Sequence, residues 1–347
     1  MNFVLFRPFP HVWYALFAIF FVATQAFGQV APPAAVLASA EARNLNEWLM
    51  RLNPSSTNRS YIGTFVVSAN GSMSSAKIWH VWEGSQQAER VETLTGPRRS
   101  IFRHGNQVTT YLPELNVVRS EKRESLGLFP DLFQAADSRV GEYYQFQLEG
   151  VERVAGVDAD LAALRPRDGL RFGYRVWTER KSGLVVKLQT LDVGGKVVEQ
   201  AAFSELQLDA PVRLDKLVQM MNRLDGYKVE KPVLVKTTAS AEGWLLKAPV
   251  AGFNAVNFYR RPGSADMGAA QTSPADGPMQ WVFSDGLASV SIFIELLDRQ
   301  RHVREAMLSL GATQTMTRRL DPYWITLVGE VPIATLQLFA NGLERRK

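Results

Sequence analysis

At 347 residues, 46% hydrophobic and 21% charged, the chain has the composition of an ordinary globular protein and the length of two domains rather than one. Its formal charge of +5 comes from 39 basic residues dispersed among 34 acidic ones, with no basic block interleaved with aromatics, which argues against a nucleic-acid surface. There is no cysteine, so disulfides and an N-terminal lipid on cysteine are excluded and stability must come from core burial.

The first segment stands apart. Arg7 precedes the apolar run Val12–Ala23, and the small residues Ala26 and Gly28 follow, the layout of a secretory signal peptide ending near residue 28. The run is shorter than the roughly 20 residues needed to span a bilayer, so cleavage and a soluble exported mature chain are expected, with a retained membrane anchor as the alternative. Removing residues 1–28 takes away Arg7 and no acid, lowering the charge from +5 to +4 and leaving a weak bias toward an acidic partner or anionic lipid surface.

After the proline-containing stretch Ala31–Ala35, Leu45, Trp48, Leu49 and Leu52 recur at helical spacing until Asn53-Pro54. From Ser60 the period falls to two. Strands are expected at Tyr61–Ala69, Ala76–Glu83, Ala88–Leu94, Arg99–Arg103, Gln107–Leu112 and Asn116–Glu121, separated by turn residues such as Asn70-Gly71 and Gly96-Pro97. Between Leu126 and Val140 the alternation fails, and Leu128, Phe129, Leu132 and Phe133 cluster around Pro130 as a helix or lid-like insert.

Strands resume at Tyr143–Leu148, Val151–Val154 and Ala159–Leu164. They lead into an antiparallel meander of Leu170–Thr178, Gly183–Asp192 and Lys196–Leu208, whose first strand alternates Phe172, Tyr174 and Val176 with a mixed face, as for a sheet covered mainly on one side. Leu214, Leu217, Val218, Met221 and Leu224 give a helix ending at Asp225-Gly226, and the charged stretch Lys228–Lys231 reads as the domain boundary.

The second part has strands at Gly243–Lys247, Ala255–Arg260, Gln280–Phe283, Ala288–Leu296 and Trp324–Val328, a loop over Arg261–Pro278, and a final helix burying Leu336, Phe339, Ala340 and Leu343 with Pro332 in its first turn. The expected division is a signal peptide at 1–28, a β domain at 29–210, a helix and linker at 211–231 and an α+β domain at 232–341.

No catalytic or metal-binding set emerges. The histidines, His11, His80, His104 and His302, lack helical i, i+4 pairing. His80, on one face with Ile78 and Trp82, reads as a hydrogen-bonded core-edge residue, and His104 belongs to a tight turn. Nucleophile elbows, Walker loops, dinucleotide fingerprints and zinc-protease signatures are absent, and acidic pairs such as Glu121 with Glu124 are ordinary turn chemistry. No cofactor is expected.

The remaining resource is apolar surface. Phe65, Trp79, Trp82, Tyr111, Phe129 and Phe133 are candidates to line an elongated cavity inside a curved sheet, with plain core packing as the competing reading. Arg260, Arg261, Arg318 and Arg319, with the stretch Asp225–Lys231, are candidates for partner recognition, against the alternative of a solvated surface.

Many short strings in one order carry a resemblance. They include Tyr61-Ile62-Gly63-Thr64-Phe65-Val66, Arg90-Val91-Glu92-Thr93-Leu94, Tyr111-Leu112-Pro113, Arg153-Val154-Ala155-Gly156-Val157 and the stretch Leu164–Trp177. Later in the chain come Gly252-Phe253, Phe283-Ser284-Asp285-Gly286-Leu287 and Val328-Gly329-Glu330-Val331-Pro332. Together they resemble the MucB/RseB family of periplasmic regulators of an envelope-stress sigma factor; the Arg261–Pro278 loop departs from it.

The resemblance implies a mainly antiparallel β fold, a large LolA/LolB-like open half-barrel capped by helices plus a smaller α+β C-terminal domain. It implies a non-enzymatic negative regulator that binds the periplasmic segment of a membrane-spanning anti-sigma factor, shields it from site-1 proteolysis, and is released by mislocalised lipid or lipoprotein acyl chains. A periplasmic lipid or lipoprotein carrier is the alternative, since the large domain alone would suffice for it. Self-association is left open.

Overall fold

The computed structural model describes residues 44–52, 58–122, 129–130, 139–232, 234–261 and 277–346. A helix at 44–52, α1, buries Leu45, Trp48, Leu49 and Leu52, the stripe its spacing predicts, and Trp48 packs on Phe146 at 5.2 Å. Burial of each such side chain is worth about 1.5–3 kcal/mol before the entropy of ordering is charged.

The large sheet begins with β1 (Tyr61–Ala69), β2 (Ser72–Glu83), β3 (Gln86–Thr93), β4 (Ser100–His104), β5 (Gln107–Leu112) and β6 (Val117–Lys122), each paired antiparallel to the next. After the short helix α2 (Val140–Tyr143) come β7 (Tyr144–Val154), β8 (Val157–Pro166), β9 (Gly173–Glu179), β10 (Val185–Leu191) and β11 (Val197–Leu208), and β11 returns to pair with β1. Helix α3 (Leu214–Met221) follows, then β12 (Lys228–Glu230). Strand order is β12-β6-β5-β4-β3-β2-β1-β11-β10-β9-β8-β7.

Three expectations are corrected here. The two strands expected at Tyr143–Leu148 and Val151–Val154 are one strand, β7, with a bulge between Leu148 and Gly150 that takes up the phase change. The mixed face of the meander is not open throughout: Arg175, Lys187 and Gln189 stay exposed or half-buried, but Trp177, of opposite parity to Tyr174 and Val176, is buried, donating its indole N–H to Glu152 and lying beneath Lys187. The stretch read as a boundary, Lys228–Lys231, contains β12, which adds parallel to β6, with Arg119 paired to Glu230 at 3.1 Å.

Helix α3 belongs with this sheet too, packing on its outer face against Val81, Ala88, Phe102 and Tyr111. The Leu126–Val140 insert lies mostly outside the described residues, and of it Phe129, Pro130, Arg139 and Val140 are described.

The second domain opens with β13 (Val235–Thr237), β14 (Trp244–Leu246), β15 (Asn254–Arg260), β16 (Met279–Ser284) and β17 (Ser289–Leu296). It closes with β18 (Met307–Leu310), β19 (Thr313–Leu320), β20 (Tyr323–Gly329), α4 (Ile333–Gly342) and β21 (Leu343–Arg345). Seven strands form an antiparallel sheet ordered β13-β15-β16-β17-β20-β19-β18, and β14 pairs with β21. Trp281, Phe283, Ile292, Ile294 and Leu327 face Leu336 and Phe339 of α4 in one core. The β18–β19 hairpin escapes sequence reading because Thr313–Leu320 is mostly polar and half-buried while β18 is wholly exposed, so neither has an apolar alternation to detect.

Candidate functional site

The strand alternation decides what faces inward. On β1, Phe65 and Val67 point into the half-barrel. Ala76 on β2, Val91 on β3, Ile101 on β4, and Leu188 and Ala201 from the far flank join them. Phe129 covers this face, packing on Phe65 at 5.4 Å and Phe203 at 5.1 Å. Together they wall a cavity of about 610 Å³, within the range of small-molecule sites.

One end of the cavity is polar and mixed in charge. Arg98 and Arg99, on the turn between β3 and β4, line it with Glu199 of β11 and with Thr313 and Glu330 of the second domain. The Glu199 carboxylate accepts the backbone N–H of Ala312 at 3.1 Å. The approach is close enough that a Cβ on Gly311, at φ +61°, would meet Glu199 Oε2 and the Ala69 side chain. Burial, with Glu199 adding to it, pushes the Glu330 carboxyl up to about 7. The small domain therefore supplies part of the cavity wall.

Farther along the inner face lies a different environment. Glu89 accepts a bidentate pair from Arg103 at 2.9 and 2.8 Å, both side chains being buried. His80 sits beside them, its Nδ1 2.9 Å from the Arg59 carbonyl and its ring stacked on Tyr61 at 4.9 Å. Burial lowers the His80 pKa, Glu89 only partly opposing it. Among the described residues no group of three His, Asp or Glu side chains is placed to hold a metal.

Of the six aromatic candidates the structure brings two, Phe65 and Phe129, to the cavity. Trp79 and Tyr111 lie on the opposite face: Trp79 packs with Val81 and Leu217 beneath Arg90, and Tyr111 donates its hydroxyl to the Met221 carbonyl at 2.8 Å. Their parity along β2 and β5 excludes them from the interior. Trp82 has inward parity but stands at the far end of β2, in a separate groove with His104 and Gln86. Phe133 lies outside the described residues.

The basic candidates are mostly committed elsewhere. Arg260 is paired with Glu242, Arg318 donates to the Ala340 carbonyl near the end of α4 at 2.6 Å, and Arg319 pairs with Asp321 at 2.7 Å. Arg261 is exposed. All three of these side chains are engaged within the second domain.

A residue not singled out from sequence organises the seam between domains. Arg171, fully buried, donates from Nε to Asp285 at 2.5 Å and from Nη2 to the Ala251 carbonyl at 2.8 Å, and also pairs with Asp168. Its guanidinium lies between the Tyr143 ring at 4.3 Å and the Phe253 ring at 4.9 Å. Asp285 is fixed in turn by the backbone N–H groups of Leu287 and Ala288. Gly252, at φ +82°, leaves room for this arrangement, since a Cβ there would clash with Arg171 and Tyr143. Beside it, Thr335 donates to the Leu170 carbonyl at 2.8 Å.

An open antiparallel half-barrel around an apolar cavity, locked through a buried arginine to a small sheet-and-helix domain, defines a two-domain cavity protein. The chain belongs to the MucB/RseB family, whose N-terminal domain model matches residues 44–221 and whose C-terminal domain model matches residues 238–344. The sigma factor AlgU regulatory protein MucB of Pseudomonas aeruginosa is 30% identical over 310 residues, 87% of this chain and 92% of that protein. The sigma-E factor regulatory protein RseB of Haemophilus influenzae is 24% identical over 89% of this chain and 94% of its own length. Among solved structures, the MucA/MucB complex of Pseudomonas aeruginosa contains a chain with a TM-score of 0.66 and 27% identity, covering 88% of this chain and 99% of that one.

Proposed function

We propose that this protein is a periplasmic negative regulator of an envelope-stress sigma factor. It binds the periplasmic segment of a membrane-spanning anti-sigma factor, shields that segment from site-1 proteolysis by occupancy and without turnover, and lets go when acyl chains of mislocalised lipid or lipoprotein fill the cavity. The observation that carries this reading is the match across both domains to MucB, a protein also solved in complex with MucA(peri). No helix among the described residues is long and apolar enough to cross a membrane.

The cavity by itself would also suit a carrier. The second domain favours the regulator, since it contributes Thr313 and Glu330 to the cavity wall, so ligand and domain seating are in contact. The test is reconstitution of the site-1 protease with the anti-sigma segment. Saturating amounts of this protein slow cleavage, and added acyl ligand restores it; cleavage unaffected by the protein refutes the proposal.

A further inference from the structure

The cavity is lined by two basic and two acidic residues, Arg98 and Arg99 with Glu199 and Glu330, between which no ion pair forms among the described residues. Arg98 and Arg99 use their backbone N–H groups, toward Glu114 and Thr93, but their exposed guanidinium groups meet no carboxylate among the described residues. On the same lining, Glu199 is held by the Ala312 N–H and no hydrogen bond or ion pair reaches the mostly buried Glu330 carboxyl among the described residues. A carboxyl so placed, with a second carboxylate against it, lacks a cation. The lining is thus basic on the β3–β4 turn and carries its carboxyl groups where the second domain meets β11.

We propose that the cavity selects an amphiphile with a phosphoethanolamine head, its phosphate against Arg98 and Arg99, its ammonium between Glu199 and Glu330, and its acyl chain among Phe65, Val91, Phe129 and Leu188. This rests on the reading of the cavity as an acyl site and adds its head-group preference. A purely anionic head would satisfy the arginines but be repelled by the acids. A fatty acid would leave the acids unpaired, and a quaternary choline head brings a cation that donates no hydrogen bond. A primary ammonium supplies three N–H donors at the place where the protein has two carboxyl groups and no donor for Glu330.

The test is displacement of a fluorescent fatty-acyl probe from the full chain by lysophosphatidylethanolamine, lysophosphatidylcholine and lysophosphatidylglycerol of one chain length, each below its micelle-forming concentration. The ethanolamine lipid is expected to bind about tenfold more tightly than the glycerol lipid, and the paired change Glu199→Gln with Glu330→Gln to reduce that preference to about twofold or less. Changing Arg98 and Arg99 to Gln weakens both lipids together. A glycerol lipid that binds as tightly as the ethanolamine lipid, or a preference that survives loss of both carboxylates, overturns the proposal. If the paired variant does not fold, the wild-type ranking and the single Glu199→Gln change decide. Failure of the probe and every lipid to bind refutes the acyl-site reading itself; equal binding of all three lipids refutes only the head-group preference.

Discussion

The Glu330→Gln substitution gives a pH-dependent stability effect whose size follows from the structure. Glu330 is mostly buried beside Glu199, and Tyr174, whose hydroxyl burial pushes well up, faces both as a neutral group. The carboxyl is raised from its ordinary 4.5 to about 7. A raised folded-state value means the native protein holds this proton more tightly than the unfolded chain, so the associated stability is complete below pH 4.5 and is lost as pH rises through 7. Two and a half pH units correspond to roughly 3 kcal/mol. Glutamine mimics the protonated acid, so variant and wild type should be nearly equal at pH 4.5, and the variant should be more stable by roughly 3 kcal/mol at pH 8. Denaturant unfolding of both proteins at intervals from pH 4.5 to 8 measures this. Curves that stay parallel across that window would show that Glu330 is not the group described.

Three further outcomes are expected. Arg171→Ala strands the buried Asp285 carboxylate and should cost about 3–5 kcal/mol, read by denaturation and by faster proteolysis at the domain seam; a loss under about 1 kcal/mol would mean the seam is held elsewhere. Phe129→Glu sets a carboxylate against Phe65 and Phe203 and should abolish acyl-probe binding in a chain whose circular dichroism is unchanged, whereas retained binding would remove Phe129 from the site. Tyr111→Phe removes the donor to the Met221 carbonyl and should cost about 1 kcal/mol while leaving probe binding intact, because the residue is on the other face of the sheet.

The strands of the half-barrel are legible because their burial alternates: β1 and β5 begin and end where the period-two pattern does. What the pattern withholds is which face is the inside. Trp79 and Phe65 carry the same aromatic signal, and only the pairing of Ile62 with Trp79 and of Phe65 with Ala76 fixes their opposite sides. Arg171 and Asp285 lie within the two strings Leu164–Trp177 and Phe283–Leu287 that carry the family resemblance, yet they are 114 positions apart, a separation no local periodicity can bridge. Glu330 was equally silent, since a carboxylate between a strand and a helix looks like a solvated turn until the other domain closes over it. The arginine candidates show the converse: charge is visible in a sequence, but the Glu242, Asp321 and Ala340 groups that engage it are not.

Strand β12, at one margin of the large sheet, precedes the second domain, and Arg171, between β8 and β9, ties that domain near the other margin. Midway, the Asn70 side chain donates to the Ser309 carbonyl at 2.9 Å and Glu199 meets Ala312. The small domain is thus strung across the open half-barrel like a cord across a bow. A bow cannot widen while its cord stays seated at both tips. A ligand that spread the sheet would load the contacts at both margins, the three-residue pairing of β12 with β6 and the Arg171–Asp285 pair.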